Sequence, residues 1–191
     1  MADYTELENV KLRLKIDSSD ANDDEYLEHL ISSASALMAG ETHREFVAAS
    51  GTRYFDVPEG PELVVDDFTS LTSITNGDGT TIATTDVTTL PVNKTPKYVI
   101  RIKGSSSAYW CANAAGDTIA VITVVANWGY SAAAPADVRE AVEDIVCNKY
   151  KSRHGVGSDG AATITGAGVV ITPRDITPFA KSVIERYKVI V

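Results

Sequence analysis

Cysteine is scarce in this sequence: Cys111 and Cys147 are the only two. Two thiols are too few for a disulfide scaffold or a cysteine-rich zinc site. Positive charge is also in deficit. Lys and Arg number 17 against 26 Asp and Glu, a formal net charge of -9. A duplex-DNA or RNA reader carries a basic footprint, and so does a protein that lies on anionic membranes, so the balance argues against both. Long apolar runs are missing as well. The longest, Ile119 to Ala126, falls far short of the roughly 20 residues that a membrane helix needs. The opening MADYTELENV is polar and acidic, unlike a secretory signal. Together these absences predict a soluble protein made in the cytoplasm.

What is present suits one domain, or one domain carrying an insert. The chain has 191 residues, 44% hydrophobic and 23% charged, enough for a packed core. Charge is unevenly placed. Residues 1–50 carry a net of -7, residues 51–130 a net of -3 and residues 131–191 a net of +1. An acidic front and a neutral-to-basic back are able to meet, within one chain or between copies; solubility alone is the alternative reading.

The front reads as helical. Thr5-Glu-Leu-Glu8 fits a capping box, followed by Leu7, Val10 and Leu14 on one face. Ser18 to Asp24 is a polar break dense in potential caps. Tyr26, Leu27, Leu30, Ile31, Ala34, Leu37 and Met38 then make an apolar stripe of helical period, predicting a helix to about Glu45. The middle reads as β: Arg53–Val57, Glu62–Asp66, Ser70–Thr75, the Thr-rich Thr80–Thr89, Tyr98–Lys103 and Thr118–Val125. Asn76-Gly-Asp-Gly79 is a hairpin signal, because Asn and Gly tolerate positive φ. The strand count predicts a small antiparallel sandwich or open barrel. The back is helical again. Val138, Ala141, Val142, Ile145, Val146 and Tyr150 share a face after Pro135, and Thr177-Pro178 reads as N-cap and first helical residue of a short last helix. Between them, 154–172 is Gly-rich and too long for an ordinary connection, so it reads as a functional or disordered loop.

The expected fold class is therefore α+β. A helical bundle is formed by the N-terminal segment 1–50 and the C-terminal segment 131–191, with the Gly-rich loop 154–172, and a small antiparallel β domain is inserted at 51–130.

Catalytic signatures are weak. Gly155-Val-Gly-Ser-Asp-Gly160 matches the dinucleotide-binding glycine string, but it follows a helix and opens a loop, where the pyrophosphate site requires the reverse context. His29, His43 and His154 have no ligand spacing, no nucleophile motif occurs, and no carboxylate pair is singled out. No catalytic residue, cofactor or metal is expected. Trp110, Trp128, Tyr109 and Tyr130 either anchor a core or interface or line a ligand groove.

One string is more specific. Asn127-Trp-Gly-Tyr130 closes a strand and is followed by Pro135-Ala-Asp-Val-Arg-Glu-Ala-Val142 and a helix ending Lys149-Tyr-Lys-Ser-Arg153. With Leu7–Leu14, the acidic break, Asp24-Glu-Tyr-Leu-Glu-His-Leu-Ile31 and the closing segment from Pro178 to Tyr187, it resembles the tailed-bacteriophage head–tail connector (adaptor, head completion) family. That resemblance implies a non-enzymatic virion protein of the capsid–tail neck, made in the host cytoplasm. It implies a ring of about a dozen copies beneath the portal, joining it to a stopper or tail-completion protein. DNA would pass through the lumen without sequence-specific binding and with no membrane contact. A net-negative ring agrees, since it repels the duplex and lets it slide.

On this reading Phe179, Ile184, Tyr187, Ile190 and Val191 are expected at the portal contact, with Arg186 and Lys188 at its rim. Gly155, Gly157, Gly160, Gly166 and Gly168 mark a loop expected to order on assembly. Two other readings stand beside it: a carbohydrate- or surface-binding module using the β-domain aromatics, and a small hydrolase with a site assembled from scattered residues.

Overall fold

A computed structural model describes residues 2–154, 163–164, 170–171 and 176–189. The architecture is α+β, as expected, and the chain divides into two compact units, residues 1–44 with 134–191, and residues 45–133.

The first unit is helical: α1 (Leu7–Leu14), α2 (Asp24–Thr42), α3 (Ala136–His154) and α4 (Pro178–Tyr187). Its core follows the predicted stripes. Val10 of α1, Leu27, Leu30, Ile31, Ala34 and Met38 of α2, Val138, Ala141, Val142, Ile145 and Val146 of α3, and Ala180, Val183 and Ile184 of α4 are all buried. Burying each larger aliphatic removes enough apolar surface to stabilise the bundle by about 1.5–3 kcal/mol. α2 stops earlier than its hydrophobic period suggests. His43 adopts a left-handed conformation (φ 53°) and its N–H bonds to the carbonyl of Ala39, closing the helix at Thr42.

The predicted capping box of α1 does not form. Glu6 occupies the N-cap position without a side-chain bond. The Thr5 hydroxyl instead donates to Glu143 of α3 at 2.8 Å, so a tertiary bond replaces the local cap. At α4 the sequence reading holds: the Thr177 hydroxyl accepts from the N–H of Ala180 at 3.0 Å, with Pro178 at the first helical position.

The second unit is one antiparallel sheet of β1 (Ala49–Phe55), β2 (Glu62–Thr75), β3 (Thr81–Ile82), β4 (Val87–Leu90), β5 (Lys97–Ile102) and β6 (Ile122–Trp128). The spatial order is β1-β6-β2-β5-β4, with β3 hydrogen-bonded to β2. A sandwich was one of two expectations; the strands form a single sheet, and β1 and β4 are its ends. The two runs read separately as Glu62–Asp66 and Ser70–Thr75 are one strand, β2. It pairs with β5 in its first half and β6 in its second, with register shifts between Val64 and Phe68, Phe68 and Ser70, and Leu71 and Ser73. Such irregularities bend the strand and let one segment serve two neighbours.

The inner face of this sheet carries the core: Leu63, Val65, Phe68, Ile74, Ile100, Ile102, Ile122, Val124, Ala126 and Trp128 among others. The Asn76–Gly79 turn joins β2 to β3 as predicted, with Asn76 N–H donating to the Thr80 carbonyl at 2.8 Å and Gly79 N–H to the Asn76 carbonyl at 2.9 Å. A short hairpin, β7 (Thr163–Ile164) with β8 (Val170–Ile171), is separate from this sheet.

Candidate assembly interface

The residues that carried the family resemblance have clear structural work. Trp128, at the end of β6, is buried beneath Phe55 and Phe68, with ring centroids 5.7 and 5.9 Å away. Its indole N–H donates to the Gly51 carbonyl at 2.9 Å, and the Arg53 guanidinium lies 4.8 Å from its ring centroid. Gly129 has φ of 143° and passes so close to Ala48 that a Cβ would lie 2.7 Å from the Ala48 Cα. Only glycine fits there. Tyr130 then packs on Phe46 at 5.9 Å, and its N–H bonds to the Glu45 carbonyl at 2.8 Å.

Both tryptophans are buried, Trp110 with its indole N–H on the Pro61 carbonyl at 3.1 Å. Neither lines a sugar-stacking groove, which removes the main support for a carbohydrate-binding module.

α4 carries the residues expected at the portal contact and is fastened at its C-terminal end. Arg186 pairs with Asp137 at 3.0 Å. The Tyr187 hydroxyl donates to the same carboxylate at 3.0 Å, and the Tyr187 carbonyl accepts from Arg44 Nε at 2.6 Å. Val189 N–H donates to the Thr42 carbonyl at 3.0 Å. The outer face presents Phe179, 38% exposed, together with Lys181, Glu185, Arg186 and Lys188. Ile184 is 6% exposed and belongs to the helical core, and Tyr187 is half-buried. Of the expected set, the structure therefore brings Phe179, Arg186 and Lys188 to the surface. Ile190 and Val191 lie outside the described residues, as do Gly155, Gly157, Gly160, Gly166 and Gly168.

Contacts between front and back within the helical unit run against the overall charge trend. Arg13, a base of the acidic front, reaches Glu143 at 3.3 Å and also pairs with Asp144. Burial works against its charge, but Asp144 and Glu143 outweigh it and raise the Arg13 pKa. In the other direction, the Tyr150 hydroxyl donates to Asp23 at 2.6 Å and the Arg153 guanidinium lies 4.1 Å from the Tyr26 ring centroid.

Sequence reasoning missed three features. Tyr109 and Ile119 are 70% and 77% exposed in the long connection from β5 to β6. Ala120 holds a left-handed φ of 54°, fixed by its N–H on Asp56 at 2.7 Å. Lys11 is buried, although it stands on a short polar helix. No periodic pattern marks any of them: Ala120 depends on Asp56, 64 positions away, and Lys11 on the irregular connection that follows its own helix.

Cys147 is buried and burial pushes its thiol pKa up, so it has the character of a small apolar residue and not of a nucleophile. His29 and His43 are exposed. Among the described residues, no group of three or more His, Cys, Asp or Glu is placed to hold a metal ion. No described helix is long and apolar enough to cross a membrane.

Comparison with known proteins gives a consistent answer. Residues 4–89 match the family model of the phage gp6-like head-tail connector protein. No curated protein matches the sequence. Among solved structures, a chain from the neck of an empty gene transfer agent (GTA) particle, computed with C6 symmetry, superimposes with a TM-score of 0.64 at 17% identity, covering 98% of this chain and 91% of that one. A chain from the native GTA virion gives 0.60 at 20% identity, covering 98% and 91%. A chain from the native GTA neck, computed with C12 symmetry, gives 0.57 at 18% identity, covering 100% and 95%. The match to the head-tail connector family model is confined to residues 4–89, and the likeness to the GTA neck chains, which extends over nearly the whole chain, is one of fold.

Proposed function

We propose that the chain is a structural head–tail connector, a non-enzymatic ring subunit in the neck of a virion. The carrying observation is the match of residues 4–89 to the head-tail connector family, and the likeness of the fold to chains in particle necks supports it. The C6 and C12 symmetry of those necks supports a ring of copies.

In this reading the ring lies beneath the portal and receives the stopper or tail-completion protein on its other side. Phe179 is the apolar anchor toward the portal, flanked by Arg186 and Lys188 and continued by Ile190 and Val191. Gly155, Gly157, Gly160, Gly166 and Gly168 belong to a segment that orders on assembly. The net charge of -9 repels the duplex, so DNA traverses the lumen without specific contacts.

The test is negative-stain imaging of the purified full chain, alone and with the portal protein of the same phage. Rings seated on portal are the expected result. A chain that neither forms rings nor binds portal would overturn the proposal.

A further inference from the structure

The two edge strands of the sheet, β1 and β4, run in the same direction. Each neighbouring pair along β1-β6-β2-β5-β4 is antiparallel, and four such steps restore the starting direction. Among the described residues neither edge strand has a strand on its outer side. β1 pairs with β6 in unbroken register from Ala49↔Trp128 to Phe55↔Ile122. It has none of the usual protections of an edge: no Pro, no Lys, no acid and no bulge. Its one charge, Arg53, is engaged with Asp66 and the Trp128 ring. β4 is shorter, Val87–Leu90, and carries no charge.

The segments that follow these two strands have opposite charge. From residue 54 to residue 93 the chain has no base, and from 87 to 116 it has no acid. β1 leads into an acidic connection in which Asp56 and Glu59 are exposed, and Asp117 is exposed beside it. The Val57 N–H on the Thr118 carbonyl at 2.8 Å and the Ala120 N–H on Asp56 at 2.7 Å hold residues 117–120 at this end of β1. β4 leads into a basic connection. Lys94 is exposed, and the Lys97 ammonium donates to the carbonyls of Pro91 and Val92. Among the described residues none of these three acids pairs with a base, and neither lysine pairs with an acid. Each end also exposes large apolar side chains, Tyr54 and Ile119 beside β1 and Val92 after β4.

We infer that β1 of one copy pairs in parallel with β4 of the next, so that the sheets of successive copies join edge to edge around the ring. The inference rests on the ring reading above and specifies one contact that links its copies. The two edges are different patches of one chain, so each copy gives one and receives one, the heterologous geometry that a ring requires. A ring axis of high order turns one copy into the next by a small angle and preserves strand direction, so edges that run the same way meet in parallel. The charges select a second copy as the occupant: Asp56 and Glu59 after β1 come to the same end as Lys94 and Lys97 after β4. With the strand ends aligned, Thr52 lies beside Thr88 and Tyr54 beside Leu90, while Ile119 and Val92 cover the joint. Main-chain N–H and C=O groups of the two edges supply the affinity.

The test uses the full-length chain assembled on portal. E59K and K94E, each alone, set like charges against one another at every joint. Each should raise the concentration for half-maximal ring formation at least about threefold at low salt. The double variant E59K/K94E exchanges the two charges and should restore assembly. T52C with T88C, treated with a short bismaleimide, should give a ladder of multimers on denaturing gels, and the single variants should not. Rings without that ladder, single reversals without effect, or a double variant no better than the singles each overturn this inference and leave the connector proposal standing. A wild-type chain that neither forms rings nor binds portal overturns the connector proposal and this contact with it.

Discussion

Lys11 and Asp24 form an ion pair in which the lysine side chain is buried, 6% exposed, and the aspartate is partly solvated, 29% exposed. The same ammonium donates to the carbonyls of Asp20 at 2.8 Å and Ser18 at 3.4 Å. One cation from α1 therefore gathers the whole acidic connection to α2 and neutralises the acid at the start of that helix. Lys11→Met fills similar volume but leaves the Asp24 carboxylate and two carbonyls without their donor. The expected loss is about 1–3 kcal/mol, discounted from a fully buried pair because Asp24 is partly solvated. Urea unfolding followed by the helical circular dichroism signal measures it. An unchanged midpoint would show that the ammonium is dispensable.

A second clamp holds the sheet's longest connection. Asn76 is 5% exposed; its Oδ1 accepts from the Cys111 N–H at 3.0 Å and its Nδ2 donates to the Tyr109 carbonyl at 2.7 Å. Asn76→Ala strands two main-chain groups and should cost about 2 kcal/mol. Gly77→Ala acts on the same contact by sterics, since a Cβ there would sit 2.3 Å from the Cys111 carbonyl oxygen. It should cost at least as much, about 2 kcal/mol or more. Both variants should expose Trp110, read as a red shift of its fluorescence at denaturant concentrations where wild type is still folded.

These two clamps also mark where sequence reading stops. The stripes of α2 and α3, the Thr177–Pro178 start of α4 and the Asn76–Gly79 turn depend on residues within a few positions of each other, and each is visible as a pattern. The continuity of β2 was hidden, because Asp66 and Asp67 resemble a strand end while register shifts carry the chain through them. Thr5 resembled a cap and instead bonds Glu143, 138 positions away. The proposed interface was legible only in part. Phe179 and Ile184 look alike as apolar residues of one short helix, and only packing distinguishes the exposed residue from the buried one.

That difference yields a prediction. Phe179→Ala should weaken portal binding at least about tenfold while leaving thermal unfolding within a few degrees of wild type, since its side chain is 38% exposed and stands at the margin of the core. Ile184→Ala should lower stability by about 2–5 kcal/mol by opening a cavity. Its effect on binding would then follow the fraction of folded chain. Calorimetric titration of portal paired with thermal melts separates the two. Equal binding by the Phe179 variant would remove this residue from the interface.

Tyr150 gives a pH signature. Its hydroxyl donates to Asp23, and that bond, followed by burial and the nearby carboxylate charge, pushes its pKa up to about 12. An unfolded tyrosine titrates near 10. The protonated phenol is the form that the fold favours, so the stabilisation is complete below pH of about 10 and is lost as pH rises through about 12. Wild type should therefore lose more stability than Tyr150→Phe between pH of about 9 and about 11.5. Urea midpoints at both values test it, and parallel losses in the two proteins would refute the assignment.

Cys147 offers a probe of the helical unit alone. It is 4% exposed on α3, with a thiol pKa raised by burial, whereas Cys111 is only partly buried in the other unit. Alkylation requires both access and thiolate, and the helical core denies Cys147 each of them. A neutral maleimide should label Cys147 at least about tenfold more slowly than Cys111 in the native chain, and equally fast in urea. Lys11→Met, which loosens the α1–α2 connection, should speed Cys147 labelling and leave Cys111 unchanged; Asn76→Ala should do the reverse. If either substitution accelerates both thiols alike, the two units unfold together and the division of the chain at Arg44 and Ala134 has no energetic counterpart.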